Sequence, residues 1–181
     1  MDKMNLKDLQ KPLDIADIDF RVQSINKRGD ATILAYKDAR VDINRLNDVC
    51  GVLGWKREHT RENKNCIVSI WNDEIKQWVS KEDTGTESMA EAQKGLASDS
   101  FKRACFNFGI GIELYDYPVI KIPLLPNEWE LVNDRAKQTW GLKLRDWKWI
   151  SEFTNGKITG LACRDENGKV RFNWGKFTPK N

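Results

Sequence analysis

The spacing of apolar positions changes repeatedly along the chain, and each change marks an element. In "IDFRVQSINKRGDATILAYKDARV", Phe20, Val22 and Ser24 alternate with Arg21, Gln23 and Ile25, and the β-rich pattern resumes in "ATILAY" beyond Lys27-Arg28-Gly29-Asp30. Alternation on both sides of a polar, glycine-bearing turn predicts a β-hairpin. Ile43, Leu46, Val49, Cys50 and Leu53 then recur at three- and four-residue steps, which predicts an amphipathic helix ending near Gly51 or Gly54. Arg40 falls where that strand meets that helix. From Trp55 to Thr84 the period returns to two: "WKREHTRE", "NCIVSIW" and "IKQWVSKE" predict an antiparallel meander, its last two strands joined by a tight turn at Asn72-Asp73-Glu74.

"SMAEAQKGLASDSFKRACFNFG" restores the helical period. Ser88 with Glu91 three residues later forms a capping box, and Met89, Ala92, Leu96, Phe101, Ala104, Cys105 and Phe108 trace an apolar stripe up to Gly109. Lys94, Ser98 and Lys102 form a polar row on another face. "VIKIPLLPNEWE" reads as a proline-marked connector, dividing the chain into a core at 1–118 and an extension at 119–181. In the extension, Trp129, Val132, Ala136 and Trp140 predict one helix stopping at Gly141, and "KITGLACRDENGKVRFNW" predicts a hairpin turning at Glu166-Asn167-Gly168-Lys169. The expected fold class is α+β, an antiparallel meander packed on a helix, preceded by a hairpin and a helix.

Composition narrows the picture. With 181 residues, 40% hydrophobic and 31% charged, the chain suits one cored domain plus an appendage. No stretch reaches the roughly 18 apolar residues of a membrane helix, and "MDKMNLKDLQKPLD" lacks a signal-peptide core, so a cytoplasmic protein without a membrane partner is expected. Cys50, Cys66, Cys105 and Cys163 are scattered and His59 is the sole histidine, which argues for reduced thiols over a zinc site. Net charge is only +3, yet Trp140 to Asn181 holds nine Lys or Arg against four acids, a local +5 that leaves −2 elsewhere. That asymmetry fits either a polyanionic partner or a solvated surface.

Enzymatic readings lack parts. No G-x-x-x-x-G-K-[ST] occurs, and a nucleophilic triad would rest wholly on His59 in the charged "WKREHTRE". "NDEIK" carries the acid-x-lysine element of metal-dependent nucleases, but Asp73 and Glu74 fit a hairpin turn as well. Of the eight tryptophans, Trp147 and Trp149 lie among Lys143, Arg145 and Lys148, where aromatics serve either as packing or as base-stacking platforms.

"VSKEDTGTESMAEAQKGLASDSFKRACFNFGIGIELYDY" resembles the core signature of the Rad52/Rad22 family of single-strand annealing proteins, with Ser98, Asp99, Lys102, Arg103, Ala104, Phe108 and Gly109 fitting its helix motif. "DFRVQSINKRG" and "YKDARVDINRLNDVCGVLGW" look like the family's hairpin and following helix, so the resemblance runs from about Leu13 to Pro118. It implies a β-β-β-α core, assembly into a homo-oligomeric ring or spiral, and binding of single-stranded DNA in a basic groove, backbone inward and bases exposed. The implied function is ATP-independent annealing of complementary strands in recombination and repair, with no catalytic residue, cofactor or metal. By the same resemblance Arg40 and Lys102 are the inner phosphate contacts and Arg103 a neighbour; Lys94, and Lys27 and Arg28 at the hairpin tip, are further DNA-binding candidates. Lys and Arg held on rigid elements neutralise phosphates while leaving base edges free. The compact length resembles bacteriophage members, which implies a phage exonuclease and a single-strand-binding protein as partners. Two rival functions stand beside it: a non-annealing single-strand-binding protein, and a metal-dependent nuclease.

Overall fold

The computed structural model describes residues 5–86 and 92–177, with the backbone alone for 92–94. The chain divides into two compact units, each made of two segments: Met1–Leu13 with Lys37–Ile112, and Asp14–Tyr36 with Glu113–Asn181. The break expected at Pro118 falls inside the second unit. Two β-hairpin strands, β1 (Ile18–Ile25) and β2 (Asp30–Lys37), open the regular structure and lead into helix α1 (Ala39–Cys50).

In the first unit, the Asp38 side chain accepts the Arg40 N–H at 2.9 Å and starts α1, satisfying a donor that the helix itself leaves unpaired. Strands β3 (Trp55–Thr60), β4 (Asn65–Asn72) and β5 (Gln77–Thr84) form the expected antiparallel meander. Helix α2 (Ala92–Phe106) packs on it. Alternate residues of β4, Cys66, Val68 and Ile70, share one core with Phe101, Ala104 and Cys105 of α2, Leu46 of α1, Leu9 and Ile110. Fully burying a side chain such as Phe101 contributes about 1.5–3 kcal/mol. Ser88 and Glu91, the expected capping box, lie outside the described residues, as do Met89 and the side chains of Ala92 and Lys94.

The β5–α2 connection is held by the motif's acid. The Thr86 N–H and hydroxyl donate to Asp99 Oδ2 at 2.9 and 3.2 Å, and a Cβ on Gly85 would lie 2.8 Å from the Leu96 carbonyl oxygen and the Ser100 nitrogen. Only glycine lets the chain pass α2 that closely.

In the second unit, β2 is flanked by β1 and by β6 (Ile120–Pro123), with Ala31 opposite Ile122. The stretch expected to be a connector therefore contributes a strand, because Ile120 and Ile122 alternate into the core with Ala31 and Ile33. The helix expected from Trp129 to Trp140 is instead a hairpin, β7 (Trp129–Val132) and β8 (Arg135–Gln138). Asn133 and Asp134 stand at φ 49° and 62°, so a two-residue turn of the kind that joins twisted strands overrides the helical spacing. Strands β9 (Lys148–Thr154), β10 (Lys157–Arg164) and β11 (Val170–Gly175) close the chain as a three-stranded antiparallel sheet that contains the expected C-terminal hairpin. Trp149 stacks on Phe20 with centroids 3.6 Å apart, and Trp147 is buried. The fold is α+β throughout, and no helix among the described residues is long and apolar enough to cross a membrane.

Candidate nucleic-acid interface

Residues of the first unit from three elements come together at the start of α1. The end of β2 supplies Lys37, the first turn of α1 supplies Asp38, Arg40 and Asp42, and α2 supplies Lys102. Arg40 Nε donates to Asp38 Oδ1 at 2.8 Å with its side chain still 85% exposed. The Asp38 carboxyl is held below its usual range first by the Arg40 backbone N–H, then by the Arg40 guanidinium, with the Lys102 charge adding to both. Arg40 and Lys102, from helices far apart in sequence, thus act on one carboxylate. An exposed pair of this kind contributes only about 0–1 kcal/mol, so exchanging Asp38 for another anion would cost little.

Beneath this surface lies a buried pair. Lys37 Nζ donates to Asp42 Oδ1 and, at 2.9 Å, to the Ile110 carbonyl, while its ammonium stands 4.2 Å from the Phe106 ring centroid. Burial pushes the Asp42 carboxyl up to about 6, although Lys37 and Lys102 both pull it down. Gly111, at φ 73°, leaves room for the lysine stem, since a Cβ there would lie 3.0 Å from Lys37 Cδ.

The remaining candidates separate from Arg40 and Lys102. Arg103 Nε donates to Asp83 Oδ1 at 3.1 Å, tying α2 to β5. Lys94 sits in the first turn of α2, its side chain outside the described residues. Lys27 and Arg28 belong to the second unit, where Lys27 Nζ meets Asp134 Oδ2 at 2.5 Å and the Arg28 N–H donates to Asn26 Oδ1 at 2.8 Å. At "NDEIK", Asp73 Oδ1 accepts from Trp71 Nε1 at 2.9 Å and Lys76 Nζ at 3.3 Å, and Asn72 Oδ1 accepts the Glu74 N–H at 2.9 Å, which is turn chemistry. His59 is half-buried on β3, its Nδ1 3.5 Å from Ser100 Oγ, and burial with the Arg57 charge lowers its pKa. Sequence reasoning missed Lys37 and Asp42; the only signal was a lysine and an aspartate bracketing Arg40 in "KDARVD".

The segment that carries β1, β2, α1, β3 and β4 also carries the family match. Residues 3–73 match the Rad52/22 family of double-strand break repair proteins. Over this segment the chain is similar to the Rad52/Rad22 family. Arg40 lies within the matched Rad52/Rad22 residues and Lys102 beyond them. The chain is also similar to single-stranded DNA-binding protein DdrA of Deinococcus radiodurans, 33% identical over 122 residues that cover 64% of this chain and 58% of that protein. It is 32% identical to DdrA of Deinococcus deserti over 142 residues, 75% of this chain and 66% of the relative. The matches thus span roughly three fifths to two thirds of the length of these curated relatives.

Proposed function

We propose that the protein binds single-stranded DNA through its phosphates at Arg40 and Lys102 and promotes annealing of complementary strands in recombination and repair, without ATP. The observation that carries this reading is the convergence of Arg40 and Lys102 on Asp38 from two separate helices. Two cations on rigid elements suit a backbone contact that leaves base edges free for pairing, and no covalent step is asked of any side chain. The Rad52/Rad22 match over residues 3–73 and the single-strand-binding relatives support the same substrate. Lys94 in the first turn of α2 is a further candidate, and Lys27 and Arg28 offer a separate contact on the second unit; Arg103 is the weaker candidate, because its pair with Asp83 is less exposed than those of Arg40 with Asp38 and Lys27 with Asp134.

In this proposal the protein works in the cytoplasm as a ring or spiral of identical subunits, alongside a single-strand-binding protein and an exonuclease. The decisive experiment is a nucleotide-free annealing time course with two complementary fluorescent oligonucleotides, comparing wild type with Lys102→Ala and checking assembly by light scattering. Fast pairing by wild type that is lost in an assembled variant supports the reading. The names of the DdrA relatives favour a second reading, a protein that coats single strands without pairing them. Tight binding with no acceleration of pairing selects that one.

A further inference from the structure

The second unit holds a tryptophan out into water. Trp140, in the turn after β8, is 99% exposed, whereas Trp147 is buried and Trp149 stacks on Phe20. Single exposed apolar side chains are common on protein surfaces, so exposure alone assigns nothing. What sets this one apart is the frame beneath it. The Thr139 N–H donates to the Glu128 carbonyl at 3.0 Å, its hydroxyl to the Asn127 carbonyl at 2.5 Å, and the Leu142 N–H to the Thr139 carbonyl at 3.2 Å. The Gly141 N–H donates to Thr139 Oγ1 at 3.2 Å, and a Cβ on Gly141 would lie 2.1 Å from the Asn127 carbonyl oxygen. Glu128 is in turn buried against Arg171, and Leu142 packs on the core of this unit. Trp140 is therefore presented by a turn fastened on both sides, so little backbone freedom is lost when a flat ligand covers its ring.

The charges nearby in the chain favour a ligand that is both flat and anionic. From Lys137 to Lys148 there are four cations, Lys137, Lys143, Arg145 and Lys148, all exposed, against the single acid Asp146. Three residues of chain span at most about 10 Å, which puts Lys143 in range of a phosphate beside a base that lies on the ring. A nucleotide answers both features, because its base covers the indole while its phosphate meets the cations. Resting on the proposed single-strand binding, we infer that Trp140 is a base-stacking contact on the second unit, with Lys143 and Arg145 holding the flanking phosphates. Stacking engages the flat face of a base and leaves its pairing edge open, so the contact suits coating and annealing alike. It differs in kind from the phosphate contact of Arg40 and Lys102: a stacked base releases no counterions, so loss of the ring alone leaves the salt dependence of binding where it was.

The test titrates the whole chain into fluorescein-labelled oligo(dT) and into a labelled abasic deoxyribose-phosphate chain of the same length, read by anisotropy across a salt series. Wild type is expected to bind oligo(dT) more tightly than the abasic chain. Trp140→Ala is expected to lose on the order of tenfold on oligo(dT), with no change on the abasic chain and an unchanged salt slope, and Trp140→Phe to recover most of that loss. With unlabelled oligo(dT), the difference in tryptophan emission between wild type and Trp140→Phe isolates this indole, and bound DNA should quench it. Undiminished binding of oligo(dT) by Trp140→Ala, or an equal loss on both chains, overturns the inference and leaves phosphate binding at Arg40 and Lys102 standing. A change of assembly size in Trp140→Ala, read by light scattering, also overturns it, because the ring then serves a contact between protein chains. Failure of wild type to bind either chain overturns the inference together with the proposed single-strand binding.

Discussion

Lys102 and Arg103 are chain neighbours that face different partners: Arg103 Nε donates to Asp83 Oδ1 at 3.1 Å across to β5, while the Lys102 charge acts on Asp38 and Asp42 at the start of α1. One helical step separates a strut from a proposed phosphate contact. Lys102→Ala is accordingly expected to weaken single-strand binding similarly for unrelated sequences and to reduce the salt slope by about one for each phosphate that is no longer neutralised. Arg103→Ala removes a partly exposed ion pair, so it should cost about 0.5–1 kcal/mol of stability and leave the salt slope nearer wild type. An equal fall in slope in both variants would show that Arg103 also reaches phosphate.

The buried pair makes a prediction about stability. Lys37→Met leaves the Asp42 carboxylate with neither its ammonium nor water, an arrangement that costs about 3–5 kcal/mol when a buried pair is broken from one side. Burial already raises the Asp42 pKa to about 6 in the folded protein, above its value in the unfolded chain. A native state that holds the proton more tightly gains stability below the unfolded pKa and loses it as pH rises through about 6. The cost of Lys37→Met should therefore be smaller at about pH 5 than at about pH 7.5. Thermal melts at the two pH values check this, and a cost independent of pH would mean that Asp42 does not titrate there.

Period-two patterning made the meander legible, because Cys66, Val68 and Ile70 alternate into one face whatever lies around them. Helix α1 was legible too, from Leu46 and its neighbours at three- and four-residue steps, whereas its Asp38 cap was not read from the sequence. Trp129, Val132, Ala136 and Trp140 misled because their spacing suits a helix, whereas Asn133 and Asp134, residue types that tolerate positive φ, close a hairpin in the middle of it. Strand β6 was hidden by its shortness and its prolines. At the site, Arg40 and Lys102 were readable as residue types in a family pattern, but two adjacent cations cannot announce that one of them holds Asp83. Lys37 was harder still: a strand-end lysine looks exposed, whereas here it packs against Phe106 and Gly111 and is buried.

The second unit divides its tryptophans by role. Trp149 stacks on Phe20, while Trp140 is 99% exposed. Trp149→Ala is expected to cost about 3 kcal/mol because the stacked ring leaves a void, and Trp140→Ala to stay within about 0.5 kcal/mol. Urea unfolding measures both. If Trp140→Ala nonetheless weakens oligo(dT) binding, its exposed ring stacks on bases.

Arg171 carries the last and sharpest stability prediction. Its Nη1 and Nη2 donate to the two oxygens of Glu128 at 2.8 and 2.7 Å, Nη1 also reaches Asp165 Oδ2 at 3.3 Å, Nη2 reaches the Pro123 carbonyl at 3.2 Å, and the guanidinium lies 4.5 Å from the Trp147 ring centroid. All three charged side chains are almost wholly buried, so Arg171→Met strands two carboxylates without water, at a cost of about 3–5 kcal/mol. Burial works against the Asp165 charge, yet the Lys169 amide, the Arg171 guanidinium and the Asn167 amide outweigh it and hold the carboxyl below its usual range. A depressed pKa contributes stability above the unfolded value, and that contribution is lost as pH falls through the folded one. Wild type should therefore lose protection of the β10 and β11 amides on acidification below about pH 4, the opposite direction to the Asp42 effect in the first unit. Hydrogen exchange resolved by strand reads this out, and in Arg171→Met those amides should exchange fast already at neutral pH; protection that survives the substitution would mean that the sheet does not depend on the buried guanidinium.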